Sequence, residues 1–167
     1  MYKRQICGVD FDIKVNNGYS NLILLAKNKK GLEKLFKLST ESFVKSGLEK
    51  RSIPEQDILN NADDIVCIIP SSSPNLRNLA LKKEDLLIDQ HYKKYLEAFA
   101  ENLFVGVSNF SKDGYDSASA LACNIAKKNN IKAVAINDVL FLEKEDHLAH
   151  QAKVAINNAT LLKDEID

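Results

Sequence analysis

The chain has 167 residues, enough for one domain with a substantial core. Its 23 basic and 23 acidic residues balance, so no global charge directs it to nucleic acid or to an anionic membrane. A hydrophobic content of 45% excludes a disordered chain, and no apolar run approaches the roughly 20 residues of a membrane span. The three separated cysteines, Cys7, Cys67 and Cys123, favour reduced, buried thiols in a cytoplasmic protein over disulfides or a zinc cage.

The first five residues differ in character from the rest of the chain. Met1–Gln5 lead directly into a strand pattern, and a common transposon adapter used in DNA library preparation encodes Tyr-Lys-Arg-Gln in one frame. We therefore expect residues 1–5 to be non-natural sequence, and the chain to be a fragment that lacks its upstream part.

The next residues predict a β-hairpin followed by a helix. Residues 6–13 and 21–26 are mostly apolar strands, and Asn16-Asn17-Gly18 between them favours a tight turn because Asn and Gly tolerate positive φ. Residues 30–46 show helical periodicity. The predicted apolar face of this helix carries Leu32, Leu35, Phe36, Ser39 and Phe43.

From residue 21 onward, strand and helix patterns alternate, which predicts an α/β fold with a mainly parallel sheet or barrel. The later predicted strands are 64–69, 103–107 and 131–136, of which the first and the last are expected to be buried. The predicted helices begin near Pro54, Asn75, Glu84, Asp113 and Glu143. In the helix 84–100, the expected core residues are Leu87, Tyr95, Leu96 and Phe99, and in the last helix they are Leu148, Ala152, Ala155 and Ile156.

Carboxylates at strand positions are candidate metal ligands. Asp10 and Asp12 alternate along the first strand and share a face, and Asp138 follows the strand 131–136. Such positions suit Mg²⁺, Mn²⁺ or Zn²⁺. Carboxylates that are solvated at a sheet edge, or that cap the next turn, explain the pattern equally well. Composition does not distinguish these explanations from a metal site.

The histidines and a basic stretch each have a functional explanation and a simpler structural one. His147 and His150 have a spacing that could supply two metal ligands, although surface histidines in a helix first turn are the favoured interpretation. His91 is predicted on a solvated, lysine-rich face. The basic stretch of Lys27, Lys29, Lys30, Lys34 and Lys37 could contact phosphates, but an exposed helix face is favoured because Phe36 falls on the predicted apolar stripe.

Four stretches together resemble the PHP domain (polymerase and histidinol phosphatase) of bacterial DNA polymerase III alpha subunits. Two of them are similar to a strand of the form I-I-G-x-E-hydrophobic and to an LLAKN-x-x-G…L-x-K-L-S segment. The other two are similar to an ATNDV strand end and its continuation Y-L-x-x-E-D-x-x-A-H. In this sequence they are Ile6–Phe11, Leu24–Ser39, Ala135–Val139 and Leu142–His150.

The resemblance implies a distorted (β/α)7 barrel, here incomplete at its N-terminal end and beginning with the β-hairpin. It assigns residues 6–160 to a partial PHP domain and residues 161–167 to a linker or cut end. It also implies a cluster of His, Asp, Glu and Cys metal ligands at the barrel mouth, which in metal-bound members runs phosphoester hydrolysis, including 3′–5′ exonuclease activity.

The sequence departs from that metal pattern. The family's His-x-His and Asp-His motifs would precede Ile6, Asp10 stands for a Glu, and Leu140 stands where the last motif has a His. Asn109-Phe110 follows the strand 103–107, where a polar or His position is expected. Only Asp10 and Asp138 remain as vestigial metal candidates, so the resemblance implies a degenerate domain with no catalytic residues and no cofactor.

The function implied is therefore a structural part of a replicative DNA polymerase. Its partners would be the remainder of the alpha subunit and, through it, DNA and replisome subunits, with no membrane contact. Two alternatives stay open. One is a metal-dependent PHP-type phosphoesterase or 3′–5′ exonuclease using Zn²⁺, Mn²⁺ or Mg²⁺, and the other is an unrelated α/β binding module.

Overall fold

The computed structural model describes residues 5–15, 18–46, 50–82, 85–108, 115–137 and 139–162. Residues 1–136 and 137–167 form two separate units. Six strands lie in the first unit: β1 Gly8–Val15, β2 Gly18–Ala26, β3 Ile53–Pro54, β4 Ile65–Pro70, β5 Leu103–Val107 and β6 Lys132–Ala135. Its helices are α1 Lys29–Ser46, α2 Glu55–Leu59, α3 Pro74–Leu81, α4 Asp85–Phe99 and α5 Tyr115–Lys128. The second unit holds α6 His147–Asn158 after a 3₁₀ turn at Lys144–Asp146.

The six strands form one mixed sheet in the order β3-β1-β2-β4-β5-β6. β1 pairs antiparallel with β2 from Gly8↔Leu25 to Val15↔Gly18, which confirms the predicted hairpin. β2 also pairs antiparallel with β4, while β3 is parallel to β1 and β4, β5 and β6 are parallel to one another. Five strands therefore run in one direction, as the alternating pattern predicts, and β2 alone runs against them. Closure into a barrel remains a prediction, because β3 and β6 are the outer strands of the described sheet.

Alternate residues of each strand face opposite sides of the sheet, and the two sides differ. On the first side lie Phe11, Leu22, Ile69 and Val105, all at most 5% exposed. They join side chains of α1 to α5 in a single core cluster. We call this side the covered face. The other side, the open face, carries Asp10, Ile23, Ile68, Phe104 and Lys132 in one register row, and none of these belongs to that cluster.

The junction of β2 and α1 explains the LLAKN-x-x-G pattern. Asn28 Oδ1 accepts the Gly31 backbone N–H at 3.0 Å, which is an N-cap bond, and Asn28 Nδ2 donates to Asp64 Oδ1 at 2.7 Å. A Cβ on Gly31 would lie 2.1 Å from the backbone oxygen of Asp64. Asn28 caps α1. Only glycine at position 31 lets the first turn of α1 approach the loop before β4 so closely, because glycine has no Cβ.

The predicted burial is wrong for parts of four elements. The buried face of α1 is Gly31, Leu35, Leu38 and Ser42, rotated from the predicted stripe, so Phe36 and Phe43 are exposed. The sequence predicts a buried β6, yet all four of its residues are exposed because it pairs with β5 alone in the described sheet.

In α4, the side chains that face the core are Ile88, Tyr92, Tyr95 and Phe99, whereas Leu87 is 45% exposed. In α6, Ala155 is buried as predicted, but Leu148 and Ile156 are exposed. Cys67 is buried as expected and Cys7 is exposed.

Candidate functional site

The carboxyl ends of β4 and β5 carry serines. The Ser71 N–H donates to the Gly106 carbonyl at 2.7 Å, and Ser71 Oγ lies 3.0 Å from Ser119 Oγ and 3.3 Å from Ser108 Oγ. Ser119 Oγ also donates to the Ser108 carbonyl at 2.8 Å. Ser71 and Ser108 are buried, so this edge of the parallel strands is closed by hydroxyls that bond to one another.

The two predicted carboxylates of β1 lie on the open face, and both have protein partners. Asn21 Nδ2 donates to Asp10 Oδ1 at 3.2 Å, and Lys50 Nζ lies 3.1 Å from Asp12 Oδ1. Asp10 and Asn21 are diagonal neighbours across the hairpin, since Asp10 pairs with Ile23. The structure thus places both side chains on one sheet face, as their alternation predicts, where Asp10 contacts the neighbouring strand and Asp12 contacts the segment before β3.

Other residues of the predicted metal pattern lie outside the described residues. Asp138 is one of them, as are Asn109 and Phe110. Leu140, at the position where the family pattern has a His, is described and is exposed. Among the described residues, no three His, Cys, Asp or Glu side chains lie close enough together to hold an ion.

These donors do not fit a multi-metal centre. Such centres need several imidazole or carboxylate ligands around each ion, with open positions for water. Here Asp10 already accepts an amide N–H and the neighbouring strand ends offer hydroxyls that bond to each other.

His147 and His150 lie in the second unit on the first turn of α6. Both rings lie near the ring of Phe141, with centroids 5.6 and 5.8 Å from it. Glu143 and Asp146 form a reciprocal capping box at the start of the 3₁₀ turn. The acidic residues of the E-D-x-x-A-H stretch therefore begin the helix, and the two histidines pack against an aromatic ring.

A polar cleft in the first unit was not predicted. It has a volume of about 280 Å³, and it lies between the start of α2, the carboxyl end of β1 and one side of α3 and α4. Its lining residues are Val15, Glu55, Asn75, Leu79, Leu87, Gln90, His91 and Lys94.

Glu55 is the centre of the polar contacts beside this cleft. Its carboxylate accepts the Tyr95 hydroxyl at 2.7 Å and forms an ion pair with Lys94, and His91 Nδ1 lies 3.9 Å from Glu55 Oε1. Glu55 is largely buried, so the ion pair and hydroxyl bond offset the cost of removing the carboxylate from water. The first residue of α2 is thereby fixed to two residues of α4.

His91 contradicts its prediction as a solvated residue, because only 7% of it is exposed. The pKa of His91 is lowered to about 4, mainly by burial and also by the nearby Lys94 charge, while Glu55 acts in the opposite direction. Its Nε2 atom is buried with no hydrogen-bond partner in the described residues. Burial also raises the pKa of Tyr95, and the Glu55 carboxylate adds to that increase.

The sequence contained one signal for this arrangement. Ile88, Tyr92, Tyr95 and Phe99 repeat at intervals of three and four, which places His91 beside the buried stripe rather than opposite it. The adjacent lysines of HYKKY concealed that stripe. Glu55 gave no signal, because its partners lie about 40 positions away in sequence.

Comparisons with known proteins agree with this fold. The family model of the PHP domain matches residues 4–109. The DNA polymerase III subunit alpha of Haemophilus influenzae is 25% identical over 164 residues, which are 96% of this chain and 14% of that protein. That of Treponema pallidum is 26% identical over 143 residues, and that of Thermus aquaticus is 24% identical over 150 residues.

The latter two alignments cover 85% and 90% of this chain and 12% of each relative. The chain thus spans only a small part of the length of the curated relatives it matches. None of the helices in the described part of the chain has both the length and the hydropathy that a membrane crossing requires. The family model covers more than half of the chain, and the chain therefore belongs to the PHP domain family.

Proposed function

We propose that this chain is part of a bacterial replicative DNA polymerase III alpha subunit, in which it serves as a metal-free, non-catalytic structural PHP domain. The similarity to such subunits over 85–96% of the chain supports the parent protein. Polymerization itself would belong to other parts of that protein, since the chain corresponds to 12–14% of each relative.

The main support for the structural role is that the carboxylates on the open face already have protein partners. Asp10 contacts Asn21 within the hairpin and Asp12 contacts Lys50 in the segment before β3, so both carboxylates already have protein partners. The serine hydroxyls at the ends of β4 and β5 are weak ligands for divalent ions when neutral. Asp138 remains a candidate ligand, and one carboxylate without imidazoles makes a weak site.

We further propose that the sheet is part of a (β/α)7 barrel. Its helices cover one face, as the helices of such a barrel cover the outside, and the open face would line the barrel interior. The outer strands β3 and β6 would then pair with strands from the rest of the polymerase chain, as expected if residues 6–160 are a partial domain. Residues 1–5 would be non-natural sequence, and residues 161–167 would be the start of a linker or a cut end.

The parent protein is tested by sequencing the intact gene across both ends of this reading frame and assaying its product for primer extension. We expect a reading frame several times longer whose product incorporates deoxynucleotides. A natural start before Ile6 and a natural stop after Asp167 would refute the polymerase assignment.

The metal-free role is tested separately by dialysis against Zn²⁺ or Mn²⁺ followed by elemental analysis. We expect less than one ion per chain, with no difference between the wild type and Asp138→Ala. The alternative, a metal-dependent phosphoesterase or 3′–5′ exonuclease, requires stoichiometric metal that is lost in Asp138→Ala or Asp10→Ala.

A further inference from the structure

The solvent-facing side of α1 carries unusually large apolar side chains. Phe36 is 63% exposed, Phe43 57% and Val44 75%. The opposite side of the helix is already buried through Leu35 and Leu38. Two exposed phenylalanines on one helix face indicate a surface that contacts something else.

The same helix contains most of the basic stretch, and the structure divides its lysines into two groups. Lys27 donates to Asn102 Oδ1 and Lys34 to the Asp63 carbonyl, both at 2.8 Å, so these two stabilise the fold. Lys29 lies 4.0 Å from Glu33. Lys30 and Lys37 are exposed and have no partner among the described residues.

The free lysines and the exposed rings form two rows on the solvent-facing side of α1, about a third of a turn apart around the helix. Residues seven apart lie on the same side of a helix and about 10 Å apart along it, which applies both to Lys30 with Lys37 and to Phe36 with Phe43. Arg51 lies over the Phe43 ring, 4.4 Å from its centroid, and adds a further positive charge. The two acidic residues of α1 already have lysine partners, since Glu33 lies 4.0 Å from Lys29 and Glu41 lies 3.0 Å from Lys45.

This composition favours a nucleic acid over a protein partner. Protein interfaces are depleted in lysine relative to the rest of the surface, and here a row of unpaired lysines runs beside the row of rings. Proteins that bind single strands without sequence preference combine lysines or arginines for the phosphates with aromatic rings on which bases stack. The face of α1 supplies both groups.

We propose that the outer face of α1 binds single-stranded DNA, with Lys30 and Lys37 contacting phosphates and the rings of Phe36 and Phe43 stacking on bases. The inference goes beyond the structural role proposed above. Only the choice of DNA over RNA rests on the proposed polymerase parent.

The test uses the 167-residue chain, taken as the monomeric fraction from gel filtration, and a fluorescein-labelled oligothymidylate of about 12 nucleotides. Fluorescence anisotropy measures the Kd over a series of salt concentrations. For Lys30→Ala/Lys37→Ala, the salt dependence should weaken, with the slope of log K against log salt falling by about 1.4 in magnitude. Phe36→Ala should weaken binding about tenfold, and Phe36→Leu nearly as much, because leucine keeps the apolar contact but not the ring.

The matched control is Lys144→Ala/Lys153→Ala, which removes two exposed lysines of the second unit. It should leave the Kd and its salt slope close to those of the wild type. An equal loss in this control, or no binding by the wild type, would overturn the proposal. A poly-glutamate peptide that displaces the oligonucleotide and depends equally on Phe36 would overturn it in favour of an acidic protein partner.

These outcomes are independent of the polymerase assignment. Binding of the oligonucleotide is measured on the isolated chain. The polymerase assignment is tested by the length of the intact gene and by primer extension with its product.

Discussion

The two faces of the sheet use the same strands in different ways. Phe11 and Ile69 on the covered face are almost fully buried and pack with residues from all five helices of the first unit. Asp10, Phe104 and Lys132 on the open face are partly or fully exposed, and Lys132 lies over the Phe104 ring, 5.9 Å from its centroid. The comparison shows that stability resides on one face, while Asp10, the described carboxylate of the family's metal pattern, lies on the other.

The largest expected effect is on the covered face. Ile69→Ala should lower the free energy of unfolding by about 2–5 kcal/mol, because it leaves a cavity in a closed core. Ile23→Ala removes the same atoms from the open face and should cost about 1 kcal/mol in this chain. Denaturant unfolding of both variants measures the difference.

The Ile69→Ala and Ile23→Ala variants also test whether the sheet is part of a barrel. If the open face lines a barrel in a longer polymerase chain, Ile23→Ala should cost clearly more there than in the 167-residue chain. Equal costs in both proteins would argue that the open face stays exposed to solvent.

The next effect concerns His91 in the helix layer over the covered face. Its pKa of about 4 in the folded state lies below the ordinary value of 6.5, so between these values the unfolded chain binds a proton that the folded chain does not. Stability is therefore retained above pH 6.5 and lost as the pH falls towards 4, by up to about 3 kcal/mol.

His91→Leu should remove this part of the pH dependence when unfolding is measured from pH 7 to pH 4. Leu87→Ala, on the neighbouring surface of α4, should alter stability without changing the slope. If wild type and His91→Leu lose stability in parallel, the histidine is not the group responsible.

The smallest effect is expected at the carboxylates of the open face. Asp12→Asn breaks an exposed pair with Lys50, and should cost less than about 1 kcal/mol, with the difference shrinking at high salt. Asp10→Asn should be smaller still, because an amide oxygen can accept the same bond from Asn21. A loss of more than about 2 kcal/mol, or a melting temperature that rises with Mn²⁺ only in the wild type, would indicate a functional site there.

The strand and helix order could be predicted because each element has a local pattern. Asn28 and Gly31 form a helix cap and a close approach, which single residue types indicate. The hairpin from Gly8 to Ala26 is predicted by two apolar strands around an Asn-Gly turn. The shared face of Asp10 and Asp12 is predicted by the two-residue period of a strand.

Side-chain burial was harder to predict where two faces of a helix are both apolar. Phe36 and Phe43 match a helical stripe as well as Leu35 and Leu38 do, and only the docking of α1 on β2 selects the leucines. His91 lies beside lysines that are exposed, yet its own direction is set by Tyr92 and Tyr95 on the core side.

The sequence by itself determined the α/β class, the hairpin, the order of the elements and the membership of the PHP domain family, because these depend on local periodicity and on short motifs. The tertiary structure alone decided which helix faces are buried and how Glu55 joins Lys94 and Tyr95. It also decided which lysines of α1 remain free. These features depend on contacts between residues distant in sequence, where packing and desolvation outweigh local preference.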